Sequence, residues 1–358
     1  MADRGRVGFA PADGLGGGPG KTPWTPPVDG AELLDDQLAS ALLPARDARG
    51  HKGSFGKLLV VAGSLDYAGA ALLVCRAAGR AGAGLVTLAV PESLQPLFAA
   101  KVVEATTMAL PEDDVEELEP QESLARILDH DHDAIVVGPG LRPGLATREF
   151  IAELLAAPDE PAAAPAAAPI LLDAEALRAL ASTDGWWSNA PRLAVLTPHV
   201  GEFGRLRAGS GHDPAVDGDL VADDDARAAA ASAAAAEWRQ VVVLKGARTV
   251  IADPDGGVAV APFSNPALST GGTGDVLAGT IGSLLAQGLQ PFAAAQLGVY
   301  LHGLAGEAVS ERVGDAGLLA SDLPIELAYA RRRLSLLAGR RRSGSRFGFT
   351  SAGDGTRT

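Results

Sequence analysis

The chain has 358 residues, 47% apolar and 21% charged, with a formal net charge of −14 at pH 7. Enough apolar residues are present to bury a substantial core, which excludes wholesale disorder, and the acidity excludes a general nucleic-acid binder, whose surface must attract phosphate. One cysteine, Cys75, excludes an intrachain disulfide and a cysteine-built zinc centre.

Residues 1–28 are rich in Gly and Pro without hydrophobic periodicity and read as a disordered arm, with no signal-peptide core. One domain is expected over 29–335, since large α/β folds exceed the usual ~150 residues per domain. Within it, strands are predicted at Lys57–Ala62, Leu85–Val90, Ala134–Val137, Ile170–Leu172, Leu193–Leu196 and Gln240–Leu244. Helical spacing fills Gly69–Gly82, Gly274–Gln287 and Pro291–Ser310, and Thr249–Ala252 with Val258–Ala261 flank a DPDGG turn as a hairpin. Residues 156–169 are an Ala/Pro low-complexity insert, 208–227 an exposed acidic loop, and 336–358 a flexible tail, basic at its start. The basic stretch 331–342 reads as a solvated helix end rather than a nucleic-acid or lipid patch. No stretch of about 18 uncharged apolar residues predicts a membrane span. The lone cysteine, inside a helical run, is expected to be a buried small apolar residue and fits a reducing cytoplasm.

Short, wholly apolar strands alternating with helices imply a mostly parallel sheet covered on both faces. Ligands of such sheets bind beyond the carboxyl ends of the strands, where the Gly-rich turns of this sequence fall. The most informative segment is SNPALSTGGTGDVLAG, residues 264–279. Glycines Gly271, Gly272 and Gly274, with Thr273, precede a helix; their amides would form an anion hole aided by the helix dipole. Asp275 follows in the first turn. It is either the base that deprotonates a hydroxyl beside a phosphoryl group or a helix cap. There is no GxxxxGK[ST] run, which argues against a P-loop.

GGTGD before a helix resembles the anion-hole motif of the ribokinase-like superfamily. HKGSFGKLLVVAGS (51–64), GAALLVCRAAGRAGAGLVTLAVPE (69–92), VVGPGL (136–141), LLDAEAL (171–177), LTPHVGEFGRL (196–206) and VVLKGARTVIADPDG (242–256) precede it. Together these runs, in this order, are similar to the nucleotide-dependent NAD(P)H-hydrate dehydratases over about residues 30–335. The resemblance implies a ribokinase-like three-layer α/β/α sandwich with a central mostly parallel sheet. It implies dehydration of the S epimers of NADHX and NADPHX, regenerating NADH and NADPH as metabolite repair. The ring hydroxyl is phosphorylated by ADP or ATP, with Mg²⁺, and phosphate is then eliminated. Asp275 would be the catalytic base and also touch substrate, as would Ala70, Gly140 and His199. Lys245, Gly246, Ala247, Arg248 and Thr249 match the family's KGxxT segment and would contact nucleotide with Gly274. Glu202 would organise Mg²⁺ through water, or simply favour the helix start. Asp173 is either a polar group behind the site or a cap of the following helix. Gly140 and His199 retain the alternatives of a turn glycine and an ordinary loop histidine, and Lys245 that of a solvated strand-end lysine. Two departures stand out: Arg142 where the family has Gly, and Val200 where it has Pro. The resemblance further implies a cytoplasmic homo-oligomer, a tetramer, stand-alone, with an NAD(P)H-hydrate epimerase on a separate chain as its functional partner. Two rival readings are a ribokinase-like alcohol kinase, acting on a hydroxymethylpyrimidine or thiazole alcohol, and a non-catalytic nucleotide-binding regulator.

Overall fold

A computed structural model describes residues 31–344, apart from 115, 158–167, 191 and 214–217. The predicted arm 1–28, most of the 156–169 insert and the end of the tail lie outside the described residues. The chain begins with β1 (Glu32–Leu33), α1 (Asp36–Leu42), β2 (Lys57–Val61), α2 (Ala68–Ala81), β3 (Leu85–Pro91), α3 (Gln95–Ala99) and β4 (Thr106–Leu110). A small hairpin, β5 (Glu112–Asp114) with β6 (Glu117–Leu118), leads to α4 (Pro120–Asp129), β7 (Ala134–Val137), α5 (Leu145–Ala156), β8 (Ile170–Leu172) and α6 (Glu175–Ala181). Next come β9 (Ala194–Leu196), α7 (Val200–Gly209), α8 (Asp224–Trp238), β10 (Val241–Leu244), β11 (Val250–Ala252) and β12 (Val258–Val260). Three long helices close the domain: α9 (Thr273–Ala286), α10 (Pro291–Val313) and α11 (Leu323–Gly344).

Ten strands form one sheet in the order β1-β12-β11-β10-β9-β8-β7-β2-β3-β4. Only β11 runs against its neighbours, as the hairpin required. Both faces are covered because alternate strand residues are all apolar. Leu58 and Val60 of β2 enter the core under α2, α9, α10 and α11. Leu59 and Val61 enter the core under α5, α6, α7 and α8. Chain order reverses between β2 and β7, which opens a crevice at their carboxyl ends, the place where ligands of open α/β sheets bind.

Three predicted boundaries move. The acidic loop 208–227 is shorter, because Asp223 caps α8 by accepting from the amides of Asp225 and Ala226. Acidic residues in a first turn stabilise a helix start, so the Asp run is a helix signal. The predicted tail at 336 is helical to Gly344, since Leu334 is buried and Leu337 packs on the same core. There Arg331 donates to the Ala81 carbonyl and Arg333 pairs with Asp36 at 2.6 Å, so the basic stretch is partly tied to the fold. Ala156 belongs to α5 rather than to the insert. Cys75 is buried, which pushes its thiol up to about 12. Trp186, left without a role by the sequence, packs against Trp187 and Trp238. Among the described residues, no helix is long and apolar enough to cross a membrane.

Candidate active site

The site is assembled where β2, β7, β8, β9 and β10 end. Gly272 precedes α9 in a left-handed conformation, φ +91°, and no side chain caps the helix. The first intrahelical bond runs from the Val276 amide to the Gly272 carbonyl. The amides of Gly274 and Asp275 therefore belong to the first turn, where a helix presents donors and positive potential to an anion. Asp275 is half-buried in that turn. Burial, reinforced by the charge of Asp173 and opposed by Lys245, raises its carboxyl to about 7. A carboxylate that exchanges its proton near neutrality is matched to general-base work.

Lys245 directly follows β10 and stays in register through its amide bond to the Pro198 carbonyl. Its ammonium lies 2.9 Å from Asp173 Oδ1 and 3.9 Å from Glu202 Oε2. Burial alone would lower its pKa, but the carboxylates of Asp173, Glu202 and Asp275 outweigh it and the net direction is up. Asp173, at the end of β8, does not cap α6: the cap position is Ala174, with no side-chain bond. Its carboxylate faces Lys245 instead, which is compatible with the reading as a polar group behind the site.

His199 and Glu202 form a reciprocal capping box at the start of α7. His199 Nδ1 accepts from the amides of Gly201 and Glu202, and Glu202 Oε2 accepts from the amide of His199 at 2.9 Å. Val200 takes the first helical position, where proline is favoured, so the departure from the family's Pro leaves the helix start intact. Burial, together with Asp173 and against Lys245, raises the Glu202 carboxyl. Among the described residues no group of three His, Cys, Asp or Glu side chains can hold a metal. Glu202, engaged with a backbone amide and facing Lys245, does not build a protein-only magnesium site.

A pocket of about 840 Å³ opens between β10, α9 and α10, its walls including Lys245, Gly246, Ala247, Thr249, Thr273 and Gly274. The predicted nucleotide segment thus reaches the anion-binding turn, with one exception. Arg248 is not in the wall; its guanidinium lies 2.6 Å from Asp224 Oδ2. His199, predicted to touch substrate, lines the same pocket as the predicted nucleotide segment, whereas Ala70, Gly140 and Asp275 are not in its wall. Gly271 and Gly272 are not in its wall either.

Ala70 and Gly140 come together at the β2/β7 crevice. A Cβ built on Gly140, whose φ is +68°, would lie 3.0 Å from Ala70 Cβ and 2.7 Å from the Tyr67 carbonyl oxygen. Only glycine fits there, because the Tyr67–Ala70 segment packs directly against it. Arg142 follows in the next loop, its guanidinium 3.9 Å from Glu117.

Sequence reasoning missed two contributors. His302, buried in α10, lines the pocket and hydrogen-bonds the Thr273 carbonyl at 2.9 Å. Its only signal was a single histidine in the buried middle of a helix. Arg227, 1% exposed, donates from α8 to the carbonyls of Leu220, Ala247 and Arg248, bracing the 245–249 loop from behind.

The profile of the NAD(P)H-hydrate dehydratase family matches residues 58–327. A bifunctional NAD(P)H-hydrate repair enzyme of Moorella thermoacetica is 42% identical over 304 residues, 84% of this chain and 54% of that one. The chain therefore spans about half the length of that relative. An ADP-dependent (S)-NAD(P)H-hydrate dehydratase of Neisseria meningitidis is 37% identical over 296 residues, 81% of this chain and 90% of that one. The crystal structure of the ADP/ATP-dependent NAD(P)H-hydrate dehydratase of Bacillus subtilis, co-crystallised with ATP and Mg²⁺, superposes with a TM-score of 0.69 at 32% identity. That match covers 85% of this chain and 99% of the other. The fold is thus the ribokinase-like sandwich expected from the motifs, and the chain belongs to the NAD(P)H-hydrate dehydratase family.

Proposed function

We propose that the chain catalyses nucleotide-dependent dehydration of the S epimers of NADHX and NADPHX, regenerating NADH and NADPH. The observation that carries this reading is Asp275, poised near pH 7 in the first turn of α9 beside the pocket containing Lys245. Asp275 takes the proton of the ring hydroxyl as its oxygen attacks the terminal phosphoryl of ADP or ATP. The amides of the Gly271–Gly274 turn neutralise the charge that grows on the transferred group, which is where preorganised donors contribute most. Phosphate then leaves and the dihydronicotinamide is restored. Ala70, Gly140 and His199 would hold the hydrate, and Lys245, Gly246, Ala247, Thr249 and Gly274 the nucleotide. Mg²⁺ belongs to this reading only as a companion of the nucleotide phosphates, and no step above runs through it. An epimerase converting the R to the S hydrate is the functional partner, the compartment is the cytoplasm, and a homo-oligomer is the working form.

The test is recovery of dihydronicotinamide absorbance from hydrated NADH with ADP or ATP present. Recovery that requires nucleotide, releases inorganic phosphate and vanishes in Asp275→Asn supports the proposal, and the faster nucleotide identifies the donor. A stable phosphate ester without recovery would move the assignment to an alcohol kinase. Nucleotide binding without turnover would leave a regulator.

A further inference from the structure

Asp173 is one of the most deeply buried carboxylates described, 2% exposed, and its place is held by unusual backbone on both sides. Ala174, immediately after it, has φ +51° and ψ −117°, a conformation costly for a residue with a Cβ. Strain of this kind persists where surrounding structure enforces it, and it clusters at functional sites. Behind it, Gly138 has φ +118°, and a Cβ built there would lie 1.9 Å from the Asp173 carbonyl oxygen. The chain thus gives up two easy backbone conformations to bring one carboxylate to the end of β8. That carboxylate meets Lys245 Nζ at 2.9 Å. Gly274 looks onto the same pair: a Cβ built on it would lie 3.4 Å from Lys245 Nζ and 3.9 Å from Asp173 Oδ2.

We propose that Asp173 is a positioning residue that docks the Lys245 ammonium beside Gly274, where phosphoryl charge grows, and acts on Asp275 through space. Asp173 without Lys245 would leave a buried lone charge, and Lys245 without Asp173 would swing toward the nearest carboxylates, Glu202 and Asp275. The opposed charges around Asp275 come from distinct elements. Asp173 follows β8 and Lys245 follows β10; from α7, Glu202 lies 3.9 Å from Lys245 and pairs in turn with the cap residue His199. His302 of α10 reaches the turn only through the Thr273 carbonyl, and α2 contributes the apolar Leu73 against Gly272. Asp173 makes the base harder to ionise and Lys245 makes it easier. Removing either partner must therefore move Asp275 in opposite directions.

The experiment titrates the full chain carrying ¹³C-carboxyl aspartate, with the Asp275 signal assigned by its loss in Asp275→Asn. Asp173→Asn, and Asp173→Ser as a smaller second variant, should lower the Asp275 midpoint by about one pH unit or more. Lys245→Gln should raise it. In turnover, the acid limb of kcat should follow the same shift, whereas a merely structural role lowers kcat at every pH and leaves the limb in place. An unmoved midpoint in the folded Asp173 variants overturns the proposal. A midpoint that fails to rise in Lys245→Gln overturns it whatever the Asp173 variants do. The inference rests on the proposed function for the reaction alone. If no hydrate is repaired at any pH, that reading fails while the carboxylate midpoints still decide the role of Asp173.

Discussion

His302 Nε2 lies 2.9 Å from the carbonyl oxygen of Thr273, the residue immediately before Gly274 in the anion-binding turn. A carbonyl only accepts, so Nε2 carries a proton in this contact. Burial, against the Thr273 bond that favours the charged form, drives the imidazole down to about 4. The unfolded chain holds this histidine near 6.5, so between those values it binds a proton that the fold refuses. The contribution is intact above pH 6.5 and is lost as pH falls toward 4, up to about 3 kcal/mol. Urea denaturation across pH 4–7 should show this loss. His302→Gln keeps a donor for Thr273 and removes the titration, so its stability should fall less steeply with acid. Identical slopes for the two proteins would show that His302 does not titrate as the structure requires.

Asp275 behaves in the opposite sense. Its carboxyl rises from 3.8 to about 7 on folding, because burial and Asp173 disfavour the charge. The fold keeps the proton across that window while the unfolded chain has lost it, so stability falls as pH rises from about 4 to about 7. Asp275→Asn removes the penalty. The variant should melt at a higher temperature than the parent at pH 8, by up to about 4 kcal/mol, and the difference should vanish near pH 3. Turnover should fall at least ~100-fold, about 2.7 kcal/mol of barrier, as expected when a general base is removed. Calorimetry at the two pH values beside the absorbance assay reads both effects. An asparagine variant that is less stable at pH 8 would refute the raised carboxyl.

Arg227 couples α8 to the 245–249 loop. Its guanidinium is held by Asp224 at 3.0 Å and by the carbonyls of Leu220, Val221, Ala247 and Arg248. Arg227→Met keeps most of the volume and leaves those carbonyls unserved. It should destabilise the fold by about 3 kcal/mol, the usual scale when a buried charged partner is removed. It should also raise KM for nucleotide more than it lowers kcat, because the loop is loosened while Asp275 is untouched. An unchanged nucleotide KM would separate Arg227 from the loop's function.

Much of this site was legible because its parts are local. A Gly-rich turn followed by Asp275 at a helix start is a contiguous pattern, and so is the Lys245–Thr249 segment; Glu202 was legible as a residue favoured at a helix start, but its pairing with His199 as a capping box was not. The central strands were legible because both sheet faces are buried there, which makes them short apolar runs, as in Ala134–Val137. Long-range pairings left weaker marks. That Asp173 reaches Lys245, 72 residues away, cannot be read from either segment, and a cap reading for Asp173 was equally compatible with DAEAL. Arg227 fell inside an acidic run whose composition resembles a loop, although Asp223 makes that run a helix start. Arg248 illustrates the converse. It belongs to the right motif, yet its side chain turns to Asp224, a partner 24 residues earlier. Strand β4 and helix α4 were missed because the TTMAL and PQESLARILD segments lie at the sheet's edge, half-exposed and without an unbroken apolar run.

Two neighbouring glycines of the anion-binding turn should respond to alanine in opposite ways. Gly272 has φ +91°, and a Cβ there would lie 2.7 Å from Leu73 Cδ1. Gly272→Ala should therefore destabilise the protein, by about 1–3 kcal/mol for the backbone alone. Gly274 lies inside α9 at an ordinary helical φ, and its new methyl would make only van der Waals contact, 3.4 Å from Lys245 Nζ. Alanine in a helix exceeds glycine by about 1 kcal/mol, so Gly274→Ala should be as stable as the parent or more so. In the proposed reaction its methyl nevertheless stands where the phosphoryl would approach the amide and Lys245. Turnover should fall at least ~10-fold, about 1.4 kcal/mol of barrier, in a fold that has not weakened. Thermal melts and nucleotide-dependent recovery of absorbance, measured on both variants, separate the two glycines. A stable and fully active Gly274→Ala protein would mean that phosphoryl transfer does not occur at this turn, and would move the site of chemistry away from Asp275.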